Sequence, residues 1–111
     1  MRIEQQVLGW PLRAELISLD DGITVLLTGG CRTHIGCVAA AEPEGLLRTM
    51  EFPGHREREV AEEWAETLAK QSGHRVCVVC GIHYDALDRP GLEKVLYTLK
   101  KMLSEAQECL K

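Results

Sequence analysis

The sequence predicts an α+β domain: a single mainly antiparallel sheet with two helices packed on one face, in the order β-β-β-(β)-α-β-α. Three observations carry that prediction. Strand-like runs crowd the first half of the chain, helical periodicity begins only after Pro53, and one further apolar run separates two helical stretches. Two amphipathic helices laid over one face of a sheet bury all of these surfaces together.

The elements follow in order. Leu12 to Leu19 alternates in part, with Leu12, Ala14 and Leu16 on one face. Asp20-Asp21-Gly22 supplies a tight turn, because glycine tolerates the positive φ of primed hairpin turns. Ile23 to Thr28 is a β-branched apolar run of strand length that reads as buried on both faces. Gly29 and Gly30 break it, and His34 to Ala41 follows closely enough to read as its hairpin partner. Glu42-Pro43-Glu44-Gly45 ends that strand, and Leu46 to Phe52 offers a fourth. Val60, Ala61, Trp64, Ala65 and Leu68 then recur at helical spacing, with Gly73 where a C-terminal cap belongs. Arg75 to Gly81 is a short buried strand. Asp88 caps a last helix whose first turn tolerates Pro90. Leu92, Val95, Leu96, Leu99, Met102, Leu103 and Ala106 form its apolar stripe.

Composition narrows the classes of function. The 111 residues fit a single domain spanning residues 1–111, with 45% hydrophobic and 27% charged residues. A formal net charge of -4 argues against nucleic acid and against anionic membrane surfaces, since both call for a basic footprint. Aromatic residues at 5% are too sparse for a base-stacking platform. The longest uncharged stretch, Gly22 to Cys31, is half the roughly 20 residues a membrane helix requires. Glu4 stands where a secretory signal would carry its apolar region. The five cysteines are odd in number and scattered, unlike a secreted disulfide framework. The expectation is a cytoplasmic protein with reduced thiols.

Three segments depart from the local pattern. In Thr28-Gly29-Gly30-Cys31-Arg32-Thr33-His34, the paired glycines can form an anion nest, with Arg32 and Thr33 adding donors for a phosphate. The other reading is a plain hairpin loop that uses glycine for its dihedrals. In Phe52-Pro53-Gly54-His55-Arg56-Glu57-Arg58, a helix N-terminus with His55 and Arg56 can attract an anion. The alternative is a charged first turn in which Glu57 and Glu59 already complement the helix dipole. In Gly81-Ile82-His83-Tyr84-Asp85, a His lies two residues before an Asp at the carboxyl end of a strand. His83 can donate to a ligand or shuttle a proton, with Asp85 orienting it. Against that stands a solvated loop whose acids only cap the next helix.

The remaining candidates carry less chemistry. Cys77 and Cys80 have CxxC spacing, but inside a strand residues i and i+3 face opposite ways, so the two thiolates cannot meet one metal. They read as small buried hydrophobes, and no metal centre is expected from them. A metal shared by His34, His83 and Asp85 would need convergence in the fold. No nucleophile motif or carboxylate pair stands out, so a binding or carrier role fits better than an enzyme.

Leu27-Thr28-Gly29-Gly30, His34-Ile35-Gly36, Phe52-Pro53-Gly54-His55-Arg56-Glu57 and Gly81-Ile82-His83-Tyr84-Asp85 together resemble the LpdD-like family. The resemblance extends from about Leu12 to Leu103. These are small accessory proteins of UbiD-type decarboxylases, described as prenylated-flavin chaperones, and they are similar in fold to proteasome-assembly chaperones. The resemblance implies a non-catalytic protein that binds prenylated FMN and helps load it into an apo-decarboxylase. It implies that Gly29, Gly30, Arg32, Thr33 and His34 meet the flavin phosphate or ring edge, that His55 and Arg56 contribute, and that His83 and Asp85 hold a polar face. A homodimer, or the decarboxylase subunit, would cover the sheet face that the helices leave open, with Val25, Leu27, Val76 and Val78 in strands read as apolar on both sides. The alternative is a protein-interaction module like an assembly chaperone, without a small ligand.

Overall fold

The computed structural model describes residues 1–53 and 57–110, and among these the chain forms six strands and two helices. The strands are β1 (Arg2–Val7), β2 (Trp10–Leu19), β3 (Gly22–Gly30), β4 (Cys37–Ala41), β5 (Leu47–Glu51) and β6 (Val76–His83). The helices are α1 (Arg58–Ser72) and α2 (Arg89–Cys109). One mixed sheet has the order β1-β2-β3-β6-β4-β5, antiparallel at every junction except the parallel β3–β6 pair. The α+β class, the mainly antiparallel sheet and the two helices therefore stand as expected.

Two features differ from the sequence expectation. The first is β1, a strand ahead of Leu12 that pairs with β2 across the Leu8-Gly9 turn. Its polar sequence hides it, with only Ile3 and Val7 buried. Charged residues suit an edge strand, and here they pair across the ladder: Arg2 opposes Glu15 and Glu4 opposes Arg13, each with a 2.8 Å ion pair.

The second is the pairing of β3. It does not form a hairpin with β4, because β6 lies between them and hydrogen-bonds to both. Residues 31–36 instead run across the end of β6, where the Cys31 N–H donates to the His83 carbonyl and the Gly36 N–H to the Cys80 carbonyl. Gly81 makes the crossing possible. A β-carbon there would occupy the space of the His34 carbonyl, and one at Gly30 would occupy that of the His83 carbonyl. Glycine inside a strand commonly marks such a close approach of backbones.

The core lies on one face of the sheet. Ala14, Leu27, Cys80 and Cys37 share one register row, and Leu16, Val25, Val78 and Ala39 share the next. All eight are buried. Trp64, Leu68 and Ala65 of α1 and Val95, Leu99 and Met102 of α2 complete the cluster. Val25, Leu27, Val76 and Val78 thus all face the helices, while Leu26 and Val79 make the same strands apolar on the other side. The expectation that Ile23 to Thr28 is buried on both faces is corrected, because the helices cover only one. The opposite face is carried by the row Glu15, Leu26, Val79, Val38 and Met50, with Ile17 beside it. Leu26 is 40% exposed, Ile17 56% and Met50 61%.

Both helix boundaries obey local chemistry. Gly73 takes the left-handed conformation and its N–H reaches the Ala69 carbonyl, closing α1. The Asp88 carboxylate accepts the Gly91 N–H at 2.8 Å at the start of α2, with Pro90 in the first turn. No helix among the described residues is long and apolar enough to cross a membrane.

Candidate functional site

Because β3 and β6 run parallel, their carboxyl ends finish side by side, with Gly30 opposite His83. The crossing segment then lays His34 over the same end. Two of the three sequence segments, one after β3 and one after β6, therefore converge at this corner of the sheet. His55 and Arg56 of the third lie outside the described residues.

His83 anchors the corner. Its Nε2–H donates to Asp85 Oδ1 at 2.9 Å, the pairing expected from their spacing. The Cys31 thiol reaches Asp85 Oδ2 at 3.4 Å and the His83 carbonyl at 3.5 Å. Hydrogen bonds from His83, and then from Cys31, hold the Asp85 carboxyl below the ordinary aspartate range. The His34 and His83 rings meet edge to face, with centroids 6.4 Å apart. His34 turns its Nε2 toward Glu57 Oε1 at 3.2 Å. His34 thus meets the His83 ring, and among the described residues it is Cys31 that brings a third ligand-type atom to the His83–Asp85 pair.

Glu57 is the main surprise. The sequence offers it as part of a charged first turn, yet it is 8% exposed, and its second carboxylate oxygen, Oε2, is buried without a hydrogen-bond partner among the described residues. A buried oxygen left unpaired costs free energy, so a ligand donor has something to gain there. One sequence signal could have found it: no Ser, Thr, Asp or Asn precedes α1 at the capping position, and Glu57 makes no side-chain cap bond.

A cavity of about 320 Å³ opens next to this group, between α1, β6 and α2. Val60, Ile82, Leu92, Leu96 and Leu99 form apolar walls, while Glu57, His83 and Tyr84 bring polar atoms to its rim. Leu92 and Leu96 belong to the predicted α2 stripe but remain 45% and 40% exposed, because the cavity rather than the sheet lies beneath them. The Tyr84 hydroxyl donates to the Trp10 carbonyl at 3.4 Å, and burial pushes its pKa upward. Apolar walls with a few convergent polar groups are the usual make-up of a small-molecule site.

The other predicted residues divide. Arg32 and Thr33 are exposed, in the segment that crosses the end of β6. Gly29 and Gly30 are buried strand residues whose missing side chains accommodate Leu12 and the His83 carbonyl, and the next N–H, that of Cys31, is already bonded. Their glycine character is accounted for by packing. Cys77 and Cys80 do face opposite ways, one half-buried and one fully buried. Burial drives the Cys80 thiol far above its normal pKa and raises Cys37 as well, so both stay protonated.

Comparison with known proteins adds a family to this geometry. The family model described as a prenylated flavin chaperone LpdD-like domain matches residues 6–111. No curated protein sequence matches significantly. Among solved structures, the chain is similar to one from a novel chaperone complex for yeast 20S proteasome assembly. The TM-score is 0.58 at 18% identity, over 100% of this chain and 98% of that one. At that identity the likeness is one of fold.

Proposed function

Because the chain belongs to the prenylated flavin chaperone LpdD-like family, we propose that it is a non-catalytic carrier of prenylated FMN serving a UbiD-type decarboxylase. The observation that carries this reading is the apolar cavity beside His83, lined also by Glu57, whose buried Oε2 has no hydrogen-bond partner among the described residues. The prenyl-extended ring system supplies apolar surface for the walls. A reduced flavin also presents ring N–H groups, which suit Glu57 Oε2. His83 and His34 border the ring edge, and the exposed Arg32 and Thr33 lie where a phosphate would remain accessible to solvent and to a receiving enzyme. At about 320 Å³ the cavity takes the ring end and leaves the ribityl phosphate outside, an arrangement suited to handing the cofactor on.

Anaerobic mixing with reduced prenylated FMN, followed by desalting, should leave a flavin spectrum on the protein. Loss of all flavin on desalting overturns the proposal. His83→Ala should weaken retention by about tenfold or more, the scale of one charge-assisted hydrogen bond. An unchanged affinity removes His83 from the site.

The open sheet face supports a second element of the proposal, a homodimer. Ile17, Leu26 and Met50 form an exposed apolar band flanked by the Arg2–Glu15 and Arg13–Glu4 pairs, and such a band favours association. Light scattering should give twice the chain mass for the native protein and a single chain mass for Leu26→Lys. A monomeric native protein would remove the homodimer and leave the face to the decarboxylase.

A further inference from the structure

We propose that Cys31, His83 and Asp85 form a binding site for one divalent cation of the zinc class, with a coordination position left open. One ligand atom from each residue lies within 4.8 Å of the others. In a tetrahedral zinc site, bonds of about 2.0–2.3 Å set neighbouring ligand atoms roughly 3.3–3.6 Å apart. Cys31 Sγ and Asp85 Oδ2 already stand at 3.4 Å, and His83 Nε2 and Asp85 Oδ1 at 2.9 Å. These two distances end on different carboxylate oxygens and the second is shorter than in such a site, so the His83 ring and the Asp85 carboxylate rotate slightly apart to admit the cation.

The chemistry of the set is selective. A thiolate, an imidazole and a carboxylate suit zinc or ferrous iron and not magnesium or calcium, which prefer all-oxygen sites. With the thiol ionised, the ligands carry two negative charges and balance a divalent cation. Binding expels the Cys31 thiol proton to solvent, and His83 keeps a single ring proton by carrying it on Nδ1. The hydrogen bonds seen now, from Cys31 and His83 to the two Asp85 oxygens, are the protonated counterpart of those metal bonds.

The backbone holds the three residues in place from separate elements. Cys31 leaves β3 with its N–H tied to the His83 carbonyl at 2.8 Å, and His83 ends β6. Asp85 precedes Ala86, whose φ of 49° lies in the left-handed region and turns the chain toward α2. Beside the cluster lies a second cavity of about 340 Å³, bounded by Trp10, Tyr84, Leu87 and Asp88. It gives the open coordination position room for water or for an oxygen donor of a small molecule. Cys37 and Cys80 are buried, which leaves Cys31 as the thiol at this corner.

The site stands on these residues alone and is tested without flavin. The reduced full-length protein is titrated with cobalt(II) under argon. One cobalt per chain should bind, with a thiolate-to-cobalt charge-transfer band in the near ultraviolet. Cys31→Ser should abolish that band and weaken binding by at least about 100-fold, since even a residue behind a metal ligand costs about 10–100-fold. Asp85→Asn should weaken binding while keeping the band, and Cys109→Ser, which changes the exposed cysteine of α2, should alter neither. Circular dichroism checks that each variant is folded. Absence of stoichiometric cobalt, a band that survives Cys31→Ser, or a band lost in Cys109→Ser overturns the proposal. A failed flavin assay leaves this readout unaffected.

Discussion

Gly81→Ala is expected to cost the protein most or all of its folded state. The added β-carbon would collide with the backbone of His34, and a backbone carbonyl cannot swing aside as a flexible side chain can. Either β6 or the crossing segment must move, and each is hydrogen-bonded to the other through Gly36 and Cys31. The cost is expected to exceed about 4 kcal/mol, against a total stability of about 5–15 kcal/mol for an ordinary domain. Gly45→Ala is the comparator. Gly45, unlike Gly81, has a positive φ, of 109°, but its β-carbon would enter open space, so only backbone strain of about 1–3 kcal/mol remains. Urea unfolding followed by far-ultraviolet circular dichroism separates the two. A Gly81→Ala protein as stable as Gly45→Ala would mean that residues 31–36 do not lie on β6.

Trp64→Ala should be the most damaging truncation in the core. Trp64 is 1% exposed and is the largest fully buried side chain, on the face of α1 that packs against β4 and β6. Removing a buried indole typically costs about 3–5 kcal/mol, the lost transfer free energy plus the cavity left behind. For a domain of this size that corresponds to a fall in melting temperature of roughly 10–25 °C. A thermal melt checks it. A fall of only a few degrees would mean that α1 repacks over the sheet, and the cavity bounded by Val60 would change shape with it.

The sequence made the helices legible and the sheet only in part. Gly73, Asp88 and Pro90 act through local backbone chemistry, so the helix ends could be read residue by residue. The apolar stripes of α1 and α2 likewise needed no partner to be seen. Strand pairing is different, because Ile23 to Thr28 carries no mark of which strand lies beside it. Its partner Val76 is far along the chain, and closeness in sequence argued wrongly for His34 to Ala41. Gly81 was the available clue, a glycine within a strand-like run where two backbones meet.

The candidate site was legible to a similar extent. His83 and Asp85 are two residues apart and their hydrogen bond follows from that spacing. Cys31 joins them across separations of 52 and 54 residues, a relation that only the fold creates. Glu57 was misread because acids at a helix start are normally solvated and favourable there. The crossing segment brings His34 Nε2 to within 3.2 Å of its carboxylate, a contact that only the fold creates.

The parallel seam between β3 and β6 also sets an order in which the molecule comes together. The ribbon of β1, β2 and β3 closes through short turns and can form while later residues are still being synthesised. The β4–β5 hairpin can also close locally, but nothing joins it to that ribbon until Val76–His83 inserts between them. Contacts that span so much chain form late, because the entropy of closing the loop is lost before the pairing is gained. His34 arrives with one half and His83 arrives with the seam, so the corner that holds both comes into being only when the two halves are joined. The site therefore requires both halves of the sheet, and ligand binding is expected to report on completion of the fold.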